Sequence, residues 1–150
     1  MTISEIVQLT RFELLQAANV GCRRQAENLE KKRRDRYGCG GSMGWEMHIA
    51  GAAAELAFCK GQGIYWSGAL DFRAVDATGW EIRSTHHREG RLILHPDDQG
   101  RFALVRRVSW YSFELAGWLD ADEGKDPGWW EEPQVGRPAF FVPNEKLRPL

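Results

Sequence analysis

The sequence predicts an α+β fold in which helices come first and a largely antiparallel, mixed sheet follows. Before residue 61, apolar residues recur at helical spacing in two stretches. From residue 64 onward, apolar and polar residues alternate in short runs, and turn-forming Gly, Pro and Asp separate those runs. The 150 residues suit one domain, with an N-terminal helical segment over 1–37 and an α+β core over 42–150.

The composition is typical of a soluble globular protein with reduced cysteines. Hydrophobic residues make up 43% and charged residues 27%, and the net charge of −1 does not by itself indicate a nucleic-acid binder. The three cysteines, Cys22, Cys39 and Cys59, form no CxxC pair, which argues against a disulfide framework or a zinc site. Since the sequence shows neither a membrane-spanning apolar run nor a signal segment, we expect a cytoplasmic protein without a membrane partner.

The charges are unevenly distributed along the chain. Residues 11–36 carry eight Lys/Arg against four Asp/Glu, whereas residues 114–132 carry seven Asp/Glu against one Lys. Such asymmetry allows one face to attract an anionic partner. In the acidic segment, Trp129 and Trp130 are expected to be exposed or at an interface. Because the neighbouring acids repel a phosphate backbone, a protein partner suits this segment better than a nucleic acid.

The first helix is predicted to begin at Arg11. A short apolar patch precedes it, and Ser4 is a candidate helix cap. Its apolar residues are Phe12, Leu15, Ala18, Cys22, Ala26 and Leu29. The helix ends in a basic run whose candidate DNA-contacting residues are Lys31, Lys32, Arg33 and Arg34. This run is either a solvated, charged helix end or a patch that contacts phosphates.

A second helix is predicted from Ser42 to about Lys60. Residues 51–54 are Gly-Ala-Ala-Ala, so a sheet can approach this helix closely. Glu55 lies within the apolar stripe, where a carboxylate is costly unless it has a partner. His48 lies on the same stripe and is either a hydrogen-bonded core residue or an additional site residue.

After residue 63 the pattern indicates strands. A short strand is predicted at 64–66, followed by a hairpin of strands 71–75 and 80–85 that turns at 76–79. Further strands are predicted at 91–95, 102–108, 110–118 and 139–142. One helical turn is predicted near Trp129–Trp130 and another after Asn144. Trp45, Trp80, Trp110 and Trp118 fall within these regular elements and are expected in the core.

The strongest candidate site lies on the predicted hairpin. Because side chains alternate along a strand, Glu81 and Arg83 share one face, and Trp80 and Ile82 share the other. Asp71 begins the neighbouring strand and is expected near Glu81. Two converging carboxylates are typical ligands for a hard divalent cation.

Glu55 on a helix, then Asp71, then Glu81-Ile82-Arg83 on successive strands resembles the PD-(D/E)XK, or restriction-endonuclease-like, nuclease superfamily. The resemblance covers roughly residues 42–95. It implies a restriction-endonuclease-like core, with Asp71 and Glu81 as ligands for Mg²⁺ or Mn²⁺ and Glu55 as a further catalytic acid. Two features depart from that pattern: Arg83 replaces the usual lysine, and a polar loop replaces the helix expected after the third strand.

The arginine changes the expected mechanism, because it stays charged and is not a general base. It can still clamp a phosphate oxygen. Proton transfer then falls to a metal-bound water or to His86 or His87. In the alternative interpretation, these are two exposed loop histidines without a role in catalysis. In a different interpretation, Glu81 and Arg83 are only an ion pair on a half-solvated sheet.

The predicted function is therefore metal-dependent hydrolysis of phosphodiester bonds in DNA. The alternative is the same fold without catalysis, acting as a module that binds a protein or a nucleic acid.

Overall fold

The computed structural model describes residues 4–31, 42–68 and 79–150. Its helices are α1 (Arg11–Glu30), α2 (Ser42–Gln62) and α3 (Ala121–Gly124). Its strands are β1 (Glu5–Gln8), β2 (Trp80–Thr85), β3 (Leu92–Leu94), β4 (Arg101–Arg107), β5 (Ser112–Asp120), β6 (Trp130–Glu131) and β7 (Ala139–Val142). Short 3₁₀ turns cover Pro127–Trp129 and Asn144–Lys146. These helices and mixed sheets confirm the α+β class.

The strands form two sheets. The larger sheet has the order β1-β5-β4-β2, and the smaller sheet has the order β3-β7-β6. Among the described strands, β2 and β4 are parallel and every other neighbouring pair is antiparallel. The predicted mixed, largely antiparallel character is therefore confirmed.

Strand β4 separates two hydrophobic clusters. Ala103 and Val105 point to one face and are buried in a cluster with α2 and β2. Phe102 and Leu104 point to the other face and join a cluster with the smaller sheet. All four side chains are nearly inaccessible to solvent. Alternation along this one strand therefore defines the two sides of the larger sheet.

Helix α2 packs closely on the larger sheet because its inner surface is made of small residues. Ala52, Ala53 and Ala54 are fully buried in the same cluster as Ile82. The close approach that the small residues predict is therefore confirmed. On its other side α2 packs against α1, and a Cβ added at Gly21 would lie 2.5 Å from the Cα of Ile49. Only glycine at this position permits that helix–helix contact without a shift of the backbone.

Two local predictions were wrong. Ser4 caps no helix, because the residues that follow it form strand β1, in which Val7 is buried and the backbone pairs with β5. Helix α1 is instead capped by Thr10, whose side chain accepts a hydrogen bond from the Glu13 N–H. Residues 64–68 form no strand; Ile64 donates a backbone hydrogen bond to the Cys59 carbonyl, and Tyr65 is exposed.

The remaining element predictions largely agree with the structure. Strand β2 has the predicted bounds, and so does β7. The predicted partner strand 71–75 lies outside the described residues. Of the tryptophans expected in the core, Trp80 and Trp118 pack against the first cluster, whereas Trp45 and Trp110 are each more than one-third exposed.

Candidate functional site

Strand β2 presents two chemically different faces. Ile82 is buried in the cluster beneath α2, and Trp80 packs against that cluster. The alternating residues, Glu81 and Arg83, therefore point to the opposite face, where the Arg83 guanidinium lies 4.7 Å from the centre of the Phe102 ring. The structure thus confirms that the carboxylate and the cation share one face.

Arg83 is buried between two carboxylates. Arg83 is 9% exposed, and its Nη2 lies 3.4 Å from both carboxylate oxygens of Asp98. Its Nη1 lies 3.8 Å from the Glu81 Oε2, an ion-pair contact longer than a hydrogen bond. Glu81 and Arg83 therefore form the ion pair considered from the sequence, but Arg83 is buried and also contacts Asp98.

A tight turn after β3 holds the second carboxylate in place. The Asp98 side chain accepts a hydrogen bond of 2.8 Å from the backbone N–H of His95. The Asp98 backbone N–H in turn donates to the His95 carbonyl. The His95 ring Nδ1 lies 3.6 Å from the Asp98 Oδ2, and its side chain is 31% exposed. A half-exposed imidazole therefore adjoins a buried carboxylate.

Glu55 occupies a different place from the one predicted. Both of its oxygens accept hydrogen bonds from Arg24 of α1, at 2.7 and 3.0 Å, and the Trp66 indole N–H donates to the same carboxylate at 3.2 Å. The residue is 5% exposed. The partner that a buried glutamate requires is thus an arginine on the neighbouring helix.

The prediction that Glu55 and Glu81 lie in one cluster was therefore wrong. Glu55 lies on α2 and faces α1, while Glu81 points to the side of the sheet opposite α2. The third member, Asp71, lies outside the described residues. Glu81 does not face Glu55 because side chains alternate along β2. Since Ile82 is buried under α2, its neighbours Glu81 and Arg83 point away from that helix.

The three histidines predicted as additional site residues have distinct surroundings. His48 is half-buried on α2, and its Nε2 lies 3.0 Å from the Asn28 Nδ2. It therefore belongs to the α1–α2 interface, as a hydrogen-bonded residue. His86 and His87 are exposed on the turn after β2, with ring centres 4.1 Å apart.

The two charged partner surfaces are only partly described. Lys31 forms an ion pair of 2.5 Å with Glu27, whereas Lys32, Arg33 and Arg34 lie outside the described residues. In the acidic segment, Trp130 is 42% exposed and its ring packs edge-on against Phe140. Trp129 instead packs against the second hydrophobic cluster, which corrects the expectation that both rings are surface residues.

Potential metal ligands do not form a cluster of three within the described ranges. Within residues 4–31, 42–68 and 79–150, no three His, Cys, Asp or Glu side chains converge as a metal-binding group. Glu81 is the one predicted ligand within those ranges, and its side chain is 26% exposed. Its carboxylate offers hard oxygen ligands suited to Mg²⁺ or Mn²⁺, and the predicted second ligand is Asp71.

Sequence reasoning missed Arg24, His95 and Asp98. The segment 96–100, Pro-Asp-Asp-Gln-Gly, is typical of an exposed turn, and nothing in it distinguishes buried Asp98 from exposed Asp97. Arg24 is separated from Glu55 by 31 positions, so no local pattern pairs them. The requirement of Glu55 for a cation was the single available signal.

No protein-family model, curated protein or solved structure matches this chain. Among the described helices, none combines the length and apolar character needed to cross a membrane.

Proposed function

We propose that the protein hydrolyses phosphodiester bonds in DNA with the help of a divalent metal ion, at a site around Glu81 and Arg83. The observation that carries the proposal is the burial of Arg83 between Glu81 and Asp98. Of the acid-x-base pair that the sequence places on β2, Arg83 is buried and Glu81 is partly exposed beside it.

Burial of Arg83 favours a functional role for this residue over a solvated one. A surface ion pair is worth about 0–1 kcal/mol and needs no special support. A buried cation requires compensating carboxylates, because desolvation costs several kcal/mol per ion. The chain supplies that compensation from two separate elements, strand β2 and the turn at 95–98.

Each residue has a definite role in this proposal. Asp71 and Glu81 would hold the ion, which supplies positive charge for the phosphate and lowers the pKa of a bound water. Arg83 remains protonated and stabilises negative charge on the phosphate oxygens. The basic run Lys31, Lys32, Arg33 and Arg34 would attract the DNA backbone. Glu55 is assigned to the α1–α2 interface rather than to catalysis.

The test is metal-dependent cleavage of labelled DNA. The wild type is expected to cleave in Mg²⁺ or Mn²⁺, and Asp71→Ala and Glu81→Ala should each lose several orders of magnitude in rate while remaining folded. Glu89→Ala, an exposed acid on the turn after β2, is the matched control and should keep the wild-type rate. Equal residual cleavage by the wild type and both ligand variants would indicate a contaminating nuclease.

A second candidate is a non-catalytic module that binds a protein or a nucleic acid. It is favoured by a groove of about 670 Å³ between α1 and residues 65–68, lined by exposed Phe12, Leu15 and Tyr65. Such aromatic and aliphatic surface is typical of contacts with protein side chains. Calorimetric titration with Mn²⁺ separates the two candidates: a wild type that binds no ion at millimolar concentration and leaves DNA intact supports the binding module.

A further inference from the structure

We infer that the groove between α1 and residues 65–68 binds a helical segment of a partner protein, one that presents apolar side chains flanked by acidic residues. The inference rests on the binding-module candidate, for which it names the class of partner, and it requires no cleavage of DNA.

The groove has exposed apolar side chains on walls that the fold holds in place. Phe12 and Leu15 of α1 and Tyr65 on the opposite wall are 67%, 60% and 86% exposed. The wall that carries Tyr65 is fixed, because the Trp66 indole N–H donates to the buried Glu55 carboxylate. The three exposed side chains are therefore available to a partner without a change of fold.

The length of the groove suits about two turns of a partner helix. It has a volume of about 670 Å³ and follows α1 from Phe12 to Val20. At roughly 1.5 Å per residue, that stretch spans about 12 Å. Side chains at i, i+4 and i+7 of a partner helix cover about 10 Å, and amphipathic helices fill apolar grooves with anchors at this spacing.

Unpaired cations border the α1 wall of the groove at both ends. The Arg11 guanidinium lies 5.1 Å from the centre of the Phe12 ring, and Arg23 follows Asn19 by one helical turn. Both arginines are exposed, and neither pairs with a carboxylate in the part of the chain that the structure describes. The side chains that line the groove are uncharged. A partner with acidic residues at the ends of its apolar face is therefore complementary in charge.

A protein segment suits this groove better than a nucleic acid. Nucleic-acid binding depends mainly on many Lys and Arg contacts to phosphates, whereas the described rim supplies Arg11 and Arg23. The groove also lies on the helical side of the larger sheet, while Glu81 and Arg83 point to the side away from α2. It is therefore separate from the site proposed for cleavage.

The first experiment selects ligands from a random, phage-displayed library of peptides of about 16 residues, roughly four helical turns. The bait is the full wild-type chain, and peptides that also bind Phe12→Ser/Leu15→Ser are removed. The expected consensus has apolar residues at i, i+4 and i+7, with Asp or Glu at its flanks. Enrichment of basic or uncharged peptides, or no enrichment over the double variant, overturns the inference.

The second experiment measures the affinity of the selected peptide by fluorescence anisotropy. Leu15→Ser should weaken binding about 10- to 100-fold, because burial of a leucine side chain is lost. Arg23→Glu should weaken it about 3- to 10-fold at low salt and less at high salt. Val108→Ser and Arg88→Glu, both exposed outside the groove, are the matched controls and should keep the wild-type affinity. Wild-type affinity in Leu15→Ser or Arg23→Glu contradicts the inference.

Two other occupants of the groove give different results. A single-stranded dT oligonucleotide that displaces the peptide and binds Leu15→Ser poorly would place a nucleic acid in the groove and overturn the inference. A wild-type dimer in sedimentation, dissociated by Leu15→Ser, would place a second copy there, with the same consequence. Loss of the expected peptide binding overturns this inference alone, whereas absence of metal-dependent cleavage overturns only the proposed hydrolysis.

Discussion

Glu55 and Arg24 form a two-point ion pair across the interface between the two long helices. The Arg24 Nη1 and Nη2 donate to the two Glu55 oxygens at 2.7 and 3.0 Å, and both side chains are largely buried. The Trp66 indole N–H adds a third hydrogen bond to this carboxylate. One buried charge on α2 therefore fixes the position of α1 and of the segment that follows α2.

Breaking this pair on one side should be more damaging than removing it altogether. Arg24→Met leaves a buried carboxylate without its cation, and should lower the free energy of unfolding by about 3–5 kcal/mol. The double variant Arg24→Met/Glu55→Leu removes both charges and should lose much less than the two single variants together. Urea unfolding of the four proteins gives the coupling; simple additivity of the two single effects would contradict the buried pair.

The same pair predicts how Glu55 affects cleavage. Glu55→Gln should retain the wild-type cleavage rate at temperatures where it is fully folded, because Glu55 faces α1 rather than the Glu81 side of the sheet. The comparison is the cleavage rate of Glu55→Gln and Glu81→Gln, with folding followed by circular dichroism. A folded Glu55→Gln that is as inactive as Glu81→Gln would return Glu55 to the active site.

Gly21 and Gly51 form a matched pair for the helix interface. Gly21→Ala should destabilise the protein by about 1–3 kcal/mol, because the added Cβ would meet the backbone of Ile49. Gly51→Ala, in α2, meets nothing within 4 Å and should stabilise by about 0.5–1 kcal/mol through helix propensity. Thermal unfolding of the two variants gives both signs. A neutral Gly21→Ala would mean that the two helices are not in backbone contact.

The pH dependence of stability should include a contribution from Glu13. Its carboxylate accepts hydrogen bonds from the Lys60 ammonium and from the Thr10 backbone N–H, and these hold the pKa of Glu13 below its ordinary value of 4.5. Because the pKa is lower in the folded protein, this stabilisation is complete above pH 4.5 and is lost as the pH falls through the folded value.

Glu13→Gln should therefore reduce the free energy of unfolding by about 1 kcal/mol near neutral pH, and the difference from the wild type should shrink in acid. Urea unfolding at about pH 7 and about pH 3 measures both differences. A constant difference across that range would show that the charge of Glu13 is not the stabilising feature.

Replacement of Arg83 separates its charge from its shape. Arg83→Lys should retain part or all of the cleavage activity, because it keeps a cation beside Asp98 and Glu81. Arg83→Ala should lose most activity and also destabilise the fold by about 3–5 kcal/mol, since buried Asp98 then lacks its cation. The measurements are the cleavage rate of each variant and its Mn²⁺ affinity from calorimetry. Both variants should still bind Mn²⁺, because Asp71 and Glu81 remain. A stable, fully active Arg83→Ala would remove this residue from the proposed mechanism.

The local pattern of residues was sufficient for most of the secondary structure. Helical spacing of apolar residues predicts α1 and α2, and alternation bounded by turn residues predicts β2 with its observed ends. The flanking Pro138 and Pro143 predict the observed ends of β7. These features depend on contacts within a few residues, or on burial of one face, and both are written directly into the order of the residues. The shared face of Glu81 and Arg83 follows from the same periodicity.

The partners of the charged residues required the tertiary structure. Whether Glu55 meets Glu81 or Arg24 depends on which face of β2 lies under α2, and packing of Ile82 decides it. Asp97 and Asp98 are identical in type, yet only Asp98 turns inward to Arg83. Strand β1 likewise forms because β5 lies beside it, more than one hundred residues away in sequence. Such contacts join distant parts of the chain, so no pattern within a short window of sequence contains them.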